Sequence, residues 1–220
     1  MDNPKKSLGQ NFLNDNNIIH KITSSTNIKN NNIVEIGPGL GAITDKILEK
    51  KPKSLILIEK DKSLLDKLKI KYKDKKFISY YNCDILSLNI EKILKKNCII
   101  FGNLPYNISS QIFIKLIKFK KWPPKYKNLI LMFQKEVAEK ISGKYYGRLT
   151  IMTNYKLKVV NKFNVSANCF FPKPKVRSMV IHFTTKNRKG IKSIENLENI
   201  TKIMFSNKIK MINKNIKKIL

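Results

Sequence analysis

Phe101-Gly102-Asn103-Leu104-Pro105-Tyr106-Asn107-Ile108 is the stretch on which the reading of this chain turns. The apolar run 98–101 before it has the look of a buried strand, and residues 109–119 after it have helical spacing. An amide, a proline and an aromatic ring at a strand end make a small, rigid cup. The Asn103 side-chain oxygen and a backbone carbonyl near Leu104 or Pro105 can both accept hydrogen bonds from an exocyclic amine. Pro105 has no N–H and a fixed φ, which holds that carbonyl in place. Tyr106 offers a face on which a base taken out of its stack can lie.

Working outward toward the N-terminus, residues 33–36 (Ile-Val-Glu-Ile) read as a short buried strand. They run directly into Gly37-Pro38-Gly39-Leu40-Gly41 and then into helical spacing over 42–48. Strand, glycine turn and helix form the opening of a Rossmann-like βαβ unit. A second strand at 54–58 ends on Glu59, about 20 residues past the glycines, where a carboxylate suits two ribose hydroxyls. A Lys-rich helix at 62–71 leads to a third strand at 77–81 and then to Asp84. The upstream segment 18–22 reads as a helix, joined to the first strand by an Asn/Ser/Thr-rich link at 23–32. Alternation of strands and helices predicts a mostly parallel, doubly wound sheet, in which ligands sit beyond the carboxyl ends of the strands. Gly37, Glu59, Asp84 and Asn103 each fall at such an end.

Working toward the C-terminus, Trp122-Pro123-Pro124 marks a turn, 128–133 a strand and Gln134-Lys135-Glu136-Val137 the start of a helix. Residues 149–155 and 159–165 read as two further strands, 170–176 as a loop carrying two prolines, and 178–184 as the last strand. Past Lys186 the composition turns to charged, amphipathic helix at 194–205 and 209–220. The expected division is therefore 1–186 for the main domain and 187–220 for a helical appendage too short to hold its own core.

The chain has 220 residues, 42% of them hydrophobic, with 45 basic against 15 acidic side chains and a formal net charge of +30. That length supports a substantial core, and that charge favours a polyanionic partner: RNA, DNA or an anionic membrane. Part of the excess reflects a bias toward Lys, Asn and Ile, since Arg148, Arg177 and Arg188 are the arginines. Cys83, Cys98 and Cys169 are widely spaced and form no CxxC pair, so neither a zinc site nor a disulfide framework is indicated. His20 and His182 are isolated and read as structural or surface residues. No apolar run approaches the roughly 18 residues that a membrane span needs, and the basic N-terminus lacks a signal-peptide core. The expectation is a monomeric, cytoplasmic protein with no membrane attachment.

The glycine loop lacks the GxGxxG spacing of dinucleotide binders, and Pro38 removes an N–H that would face a phosphate. A nucleoside bearing an amino acid, S-adenosylmethionine, fits the turn better. The cup at 103–106 then reads as the holder of an adenine amine facing a methyl donor. The N6 lone pair is delocalised and weakly nucleophilic. Acceptors for both amino protons favour a more tetrahedral nitrogen and stabilise its developing positive charge, with no metal required. Phe170 or Phe171 is placed either to close over the other face of the base or to anchor its loop. The Lys-rich faces at 115–121 and 208–218 are candidates for phosphate contact.

Taken in order, these motifs resemble the ribosomal RNA adenine dimethyltransferase family (KsgA type). The resemblance rests on Gly9-Gln10-Asn11-Phe12-Leu13, Glu35-Ile36-Gly37-Pro38-Gly39, Glu59 with Asp61, and Asp84. It continues through 102–109, Gln134-Lys135-Glu136-Val137, Tyr146-Gly147-Arg148-Leu149 and 170–178. It implies an α/β class I methyltransferase domain with a mostly parallel seven-stranded sheet and a short helical C-terminal appendage. The implied reaction is N6,N6-dimethylation of two adjacent adenosines in the 3′-terminal hairpin of 16S ribosomal RNA, within the immature small subunit. It implies that Asn11, Leu13, Gly37, Gly39, Glu59, Asp84 and Asn103 contact the cofactor, with residues 10–13 lying over it. It further implies that Asn103 and Tyr106 face the target base; read from the residues, Leu104, Pro105 and Phe170 complete the expected catalytic set. Arg177 departs from the family's usual acid, and the family's basic C-terminal helix, recognisable over 205–216, is interrupted by Ile209 and Met211. A large-subunit enzyme of the erythromycin-resistance type, a DNA adenine methyltransferase and a small-subunit assembly factor in which methylation is secondary are the alternatives.

Overall fold

The computed structural model describes residues 4–5, 8–119, 121–145, 147–187 and 194–205. The order along the chain is β1 (Phe12–Leu13), α1 (Asn16–Thr23), β2 (Asn32–Ile36), α2 (Ala42–Glu49), β3 (Ser54–Glu59), α3 (Lys62–Lys71), β4 (Ile78–Asn82) and α4 (Ile90–Ile93). It continues with β5 (Cys98–Asn103), α5 (Ser109–Ile117), β6 (Tyr126–Gln134), α6 (Lys135–Ile141), α7 (Arg148–Lys156), β7 (Leu157–Val165), β8 (Phe170–Phe171), β9 (Ser178–Thr185) and α8 (Ile194–Met204).

Seven of these strands form one sheet in the order β4-β3-β2-β5-β6-β9-β7. From β4 to β6 every pairing is parallel, whereas β9 is antiparallel to both of its neighbours. Strand β2 pairs with β3 on one side and β5 on the other. The sheet therefore reverses its winding between β2 and β5, the place where α/β sheets open a crevice.

The strands are apolar on both faces because helices cover both. Along β2, β3 and β5, one set of alternate residues (Val34, Ile36, Ile56, Ile58, Ile100) packs with Ile112, Phe113 and Leu116 of α5 and Ala138 and Ile141 of α6. The intervening set (Ile33, Leu55, Leu57, Ile99, Phe101) packs with Ile19 and Ile22 of α1, Ile43 and Ile47 of α2 and Leu68 of α3. The expected fold class, a Rossmann-like methyltransferase sheet with a C-terminal helix, is the architecture observed.

One expected strand is a helix. Residues 149–155 carry Leu, Ile, Tyr and two threonines, a strand-like composition, yet they lie in α7. Tertiary contacts outweigh propensity here: Thr150 Oγ1 donates to the Lys140 and Tyr145 carbonyls at 2.7 and 2.8 Å, and Thr153 Oγ1 donates back to Leu149 at 2.8 Å. Arg148, in the first turn, pairs with Glu198 of α8 at 2.5 Å, and Glu198 also takes Lys118 at 2.5 Å. Helix α8 is thus fastened to α7 and α5, and Leu197 packs against the core. The helix expected at 209–220 and the basic face at 208–218 lie outside the described residues.

Candidate active site

The carboxyl ends of four adjacent strands, β4, β3, β2 and β5, meet at one cavity. Gly37, Gly39, Glu59, Asp84 and Asn103 all line it, together with Asn11, Leu13, Leu104, Pro105 and Tyr106. Gly37 and Gly39 have φ of +69° and +57°, a left-handed conformation in which a side chain is strained. The turn they form is tied down by Gly37 N–H donating to Ile58 O (2.9 Å) and Gly41 N–H to Pro38 O (2.9 Å).

Glu59 ends β3 with its carboxylate shared between two backbone donors, Gly39 N–H (3.2 Å) and Asp61 N–H (2.9 Å). Burial pushes its carboxyl above the ordinary value, and those two N–H groups partly offset the effect. Asp84 accepts from Leu86 N–H at 2.8 Å and from the Lys60 ammonium at 2.9 Å, in that order of importance for holding its carboxyl below the usual range. The two acids therefore sit on neighbouring strand ends in different electrostatic states.

Glu35 also lines the cavity and was not singled out as a site residue from the sequence alone. It is 1% exposed, takes the Thr44 hydroxyl at 2.6 Å, and lies near the negative charges of Asp45 and Glu59. Burial pushes its carboxyl up to about 8, so at neutral pH it is largely protonated. The signal available in the sequence was an acid inside an otherwise apolar strand, Ile33-Val34-Glu35-Ile36.

The opening segment forms a strap over the cavity. Residues 8–13 line it, and β1 pairs antiparallel with β8, Phe12 opposite Phe171 and Leu13 opposite Phe170. The Phe12 ring lies where a Gly39 side chain would be, 3.0 Å from a Cβ built there. Asn103 Nδ2 donates to the Asn11 carbonyl at 3.0 Å. A carbonyl only accepts, so this bond fixes the amide with Oδ1 turned away from the strap. Tyr106 is half-buried, with its hydroxyl 2.5 Å from Ser178 Oγ at the start of β9.

Phe170 is not brought to this cavity. It is 3% exposed and packs with Leu13 and Cys169 in the core, the anchoring role that was its alternative reading. Its neighbour Phe171 is 51% exposed. The strand alternation at β8 sends one ring in and the other out. The lysine face at 115–121 is not uniformly free: Lys115 Nζ donates to Leu86 O at 2.5 Å, and Lys118 is the one held by Glu198. His182 is buried and bonded to Asn128 Oδ1 at 2.8 Å, away from the cavity. Among the described residues, no three His, Cys, Asp or Glu side chains converge as metal ligands, and no helix is long and apolar enough to cross a membrane.

The cavity suits S-adenosylmethionine. It pairs buried carboxyls, which match a cation and a diol, with apolar walls at Ile58 and Ile85 for a purine, and with a glycine turn that admits close backbone approach. A class I S-adenosylmethionine-dependent methyltransferase is what this fold and this cavity define. The family model for ribosomal RNA adenine dimethylase matches residues 1–220. The ribosomal RNA small subunit methyltransferase A of Pelagibacter ubique is 44% identical over 215 residues, covering 96% of this chain and 81% of that protein. The protein of the same name from Mycoplasmopsis synoviae is 39% identical, with 96% and 81% covered. The crystal structure of a dimethyladenosine transferase from Plasmodium falciparum superposes with a TM-score of 0.81 at 30% identity, covering 94% of this chain and 74% of that one. The 23S rRNA methyltransferase ErmE shares the fold, with a TM-score of 0.75 at 24% identity over 94% and 84% of the two chains. The chain belongs to the ribosomal RNA adenine dimethylase family.

Proposed function

We propose that this enzyme transfers methyl groups to N6 of two adjacent adenosines in the 3′-terminal hairpin of 16S ribosomal RNA, in the immature small subunit, giving N6,N6-dimethyladenosines. The observation that carries the reading is the oriented Asn103 amide: its Nδ2 is committed to Asn11 O, leaving Oδ1 as an acceptor in the cavity that Tyr106 also lines. The cofactor supplies an electrophilic methyl on a sulfonium sulfur. In our reading Glu59 grips its ribose, Asp84 accepts from its adenine amine, and Gly37, Gly39, Asn11 and Leu13 shape the remaining wall.

The target base stacks on Tyr106, and its two amino protons are taken by Asn103 Oδ1 and one backbone carbonyl. The Pro105 carbonyl already accepts from Ile108 N–H at 3.2 Å, which makes the Leu104 carbonyl the second acceptor. These acceptors draw the N6 lone pair out of the ring and stabilise the positive charge formed as nitrogen bonds to the methyl carbon. Holding the nitrogen in line supplies the remaining acceleration as proximity. One N6 proton then leaves to solvent, and in a second transfer the monomethylated amine is held by its one remaining N–H, which it loses to solvent after the second methyl bonds to nitrogen. Residues 1–186 carry this chemistry and 187–220 form an appendage, in a protein that acts as a cytoplasmic monomer.

The test is methyl transfer from labelled S-adenosylmethionine to unmethylated small subunits, with nucleosides identified by mass spectrometry. Wild type gives dimethyladenosine at two adjacent 3′-terminal positions, and Asn103→Ala loses transfer by a factor of about 100 or more while still binding cofactor. Transfer to large-subunit RNA, or undiminished transfer by Asn103→Ala, refutes the reading.

A further inference from the structure

Asp61 is a buried acid that the chemistry above does not use. Its side chain is 3% exposed. It caps α3, accepting from Ser63 N–H (3.1 Å) and Ser63 Oγ (2.8 Å). The same carboxylate receives two groups from the N-terminal segment: the Lys5 ammonium, 3.0 Å from Oδ1 and 2.9 Å from Oδ2, and Gln10 Nε2 at 3.0 Å. Lys5 N–H in turn donates to Gln10 Oε1 at 2.7 Å, which closes a small ring of polar contacts. Burial alone would raise this carboxyl, but Lys5, Ser63 and Gln10 together hold it down to about 2, so it is charged throughout the physiological range.

The position of this ring gives it a consequence. Residues 8–13 wall the cavity, and at their far end they are held by two residue pairs to β8 and by Asn14 N–H to Cys169 O (3.0 Å). So short a ladder is cheap to open. At the near end the Asp61 carboxylate is buried, although the Lys5 side chain that meets it is 53% exposed, and charge-assisted hydrogen bonds are the stronger kind. Between these two fastenings lies Asn11, whose carbonyl orients Asn103.

We propose that Asp61 is a positioning residue that latches the strap: by holding Lys5 and Gln10 it keeps residues 8–13 closed over the cofactor, and through Asn11 it keeps the Asn103 amide turned toward the target amine. The second half of this rests on the reading of Asn103 given above; the first half does not. Opening the latch frees the cofactor to exchange and releases the amide. The strap thus couples cofactor retention to the readiness of the site for the base.

Two variants loosen the latch, one at Asp61, outside the cavity lining, and one at Gln10, which lines it. Asp61→Asn keeps a good helix cap, since Asn and Asp cap equally well, but gives up the charge. Gln10→Ala leaves α3 untouched. The full chain is followed by stopped-flow dissociation of S-adenosylhomocysteine and by amide hydrogen exchange of residues 8–14, with kcat and KM measured alongside. The expected result in both variants is dissociation faster by about tenfold or more, reduced protection of the strap with α3 unchanged, and a fall in kcat at saturating cofactor. Unchanged dissociation and unchanged strap protection in both variants overturn the latch, as does loss of protection confined to α3, which would make Asp61 a helix cap alone. Faster dissociation with an unaltered kcat overturns the coupling to Asn103. Full transfer by Asn103→Ala is a separate failure, that of the amide's assigned role, and leaves the latch to the dissociation and exchange data.

Discussion

Replacing Glu35 by Gln makes the energetics of the cavity floor measurable. The carboxyl titrates near 4.3 in an unfolded chain, and burial among apolar strands pushes it up to about 8 in the native state. Between those two values the native protein binds more protons than the unfolded chain, so this group's contribution to stability falls as pH rises. The slope is about 1.4 kcal/mol per pH unit, reaching a total cost of about 4 kcal/mol at pH 7 and about 5 kcal/mol above pH 8. Glutamine has nearly the same shape, still accepts from the Thr44 hydroxyl, and never ionises. The Glu35→Gln protein is therefore expected to match wild type within about 1 kcal/mol at pH 4.5 and to exceed it increasingly up to pH 8.5. Urea unfolding of both proteins at half-unit pH steps gives the difference directly, because contributions from other titrating groups cancel. A difference that stays flat across that range would refute the argument, since it would mean that Glu35 is ionised throughout or reaches solvent.

The same protonated acid makes a prediction for binding. A cationic cofactor placed over Glu35 expels its proton, so calorimetric binding enthalpies at pH 7 should differ between buffers of high and low ionisation enthalpy, and should agree in Glu35→Gln. Gly102→Ala places a Cβ 2.7 Å from Leu104 Cδ2 and 3.3 Å from the Ile36 carbonyl. The overpacking is expected to cost about 1–3 kcal/mol in chemical denaturation and to lower kcat by pushing Leu104 out of the cup. Arg177 is exposed on the loop that leads into Ser178, the partner of Tyr106. Arg177→Asp is expected to reduce the slope of log affinity against log salt by about 1 for small-subunit RNA, with cofactor affinity unchanged in equilibrium dialysis.

Much of the site was legible because its parts fall at the ends of strands whose apolar runs are unmistakable. Ser54–Glu59 and Cys98–Asn103 stop on a candidate position and Asn32–Ile36 stops just before one, and chain order alone placed Gly37, Glu59 and Asn103 on one edge. What escaped is what depends on distant partners. Phe12–Leu13 and Phe170–Phe171 are strands of two residues each, too short for any periodicity, and exist because they pair with each other. Asp61 shows in sequence as a motif partner of Glu59 before a helix, with nothing to mark its hold on Lys5 and Gln10, which spans more than fifty positions. Helix α7 was misread for the same reason: its local composition favours a strand, and its partners lie on α6 and α8. The inward turn of Phe170 depended on a pairing phase that no local pattern reveals.

The pairing of β1 with β8 also orders events during synthesis. Residues 8–13 are made well before their strand partner at 170–171, with the whole of β2 to β6 between the two. Until then residues 8–13 lack their strand partner and rest on Asp61, the glycine turn and Asn103. A nascent chain that has assembled β2 to β6 therefore carries the strap with one of its two ends still unpaired. Residues 8–13 are thus fastened at both ends only once 170–171 have been made, and a chain released before that point would carry β2 to β6 and a strap held at one end. Closing so long a loop is also a high-contact-order step, which sets the strap among the slow, late events of folding.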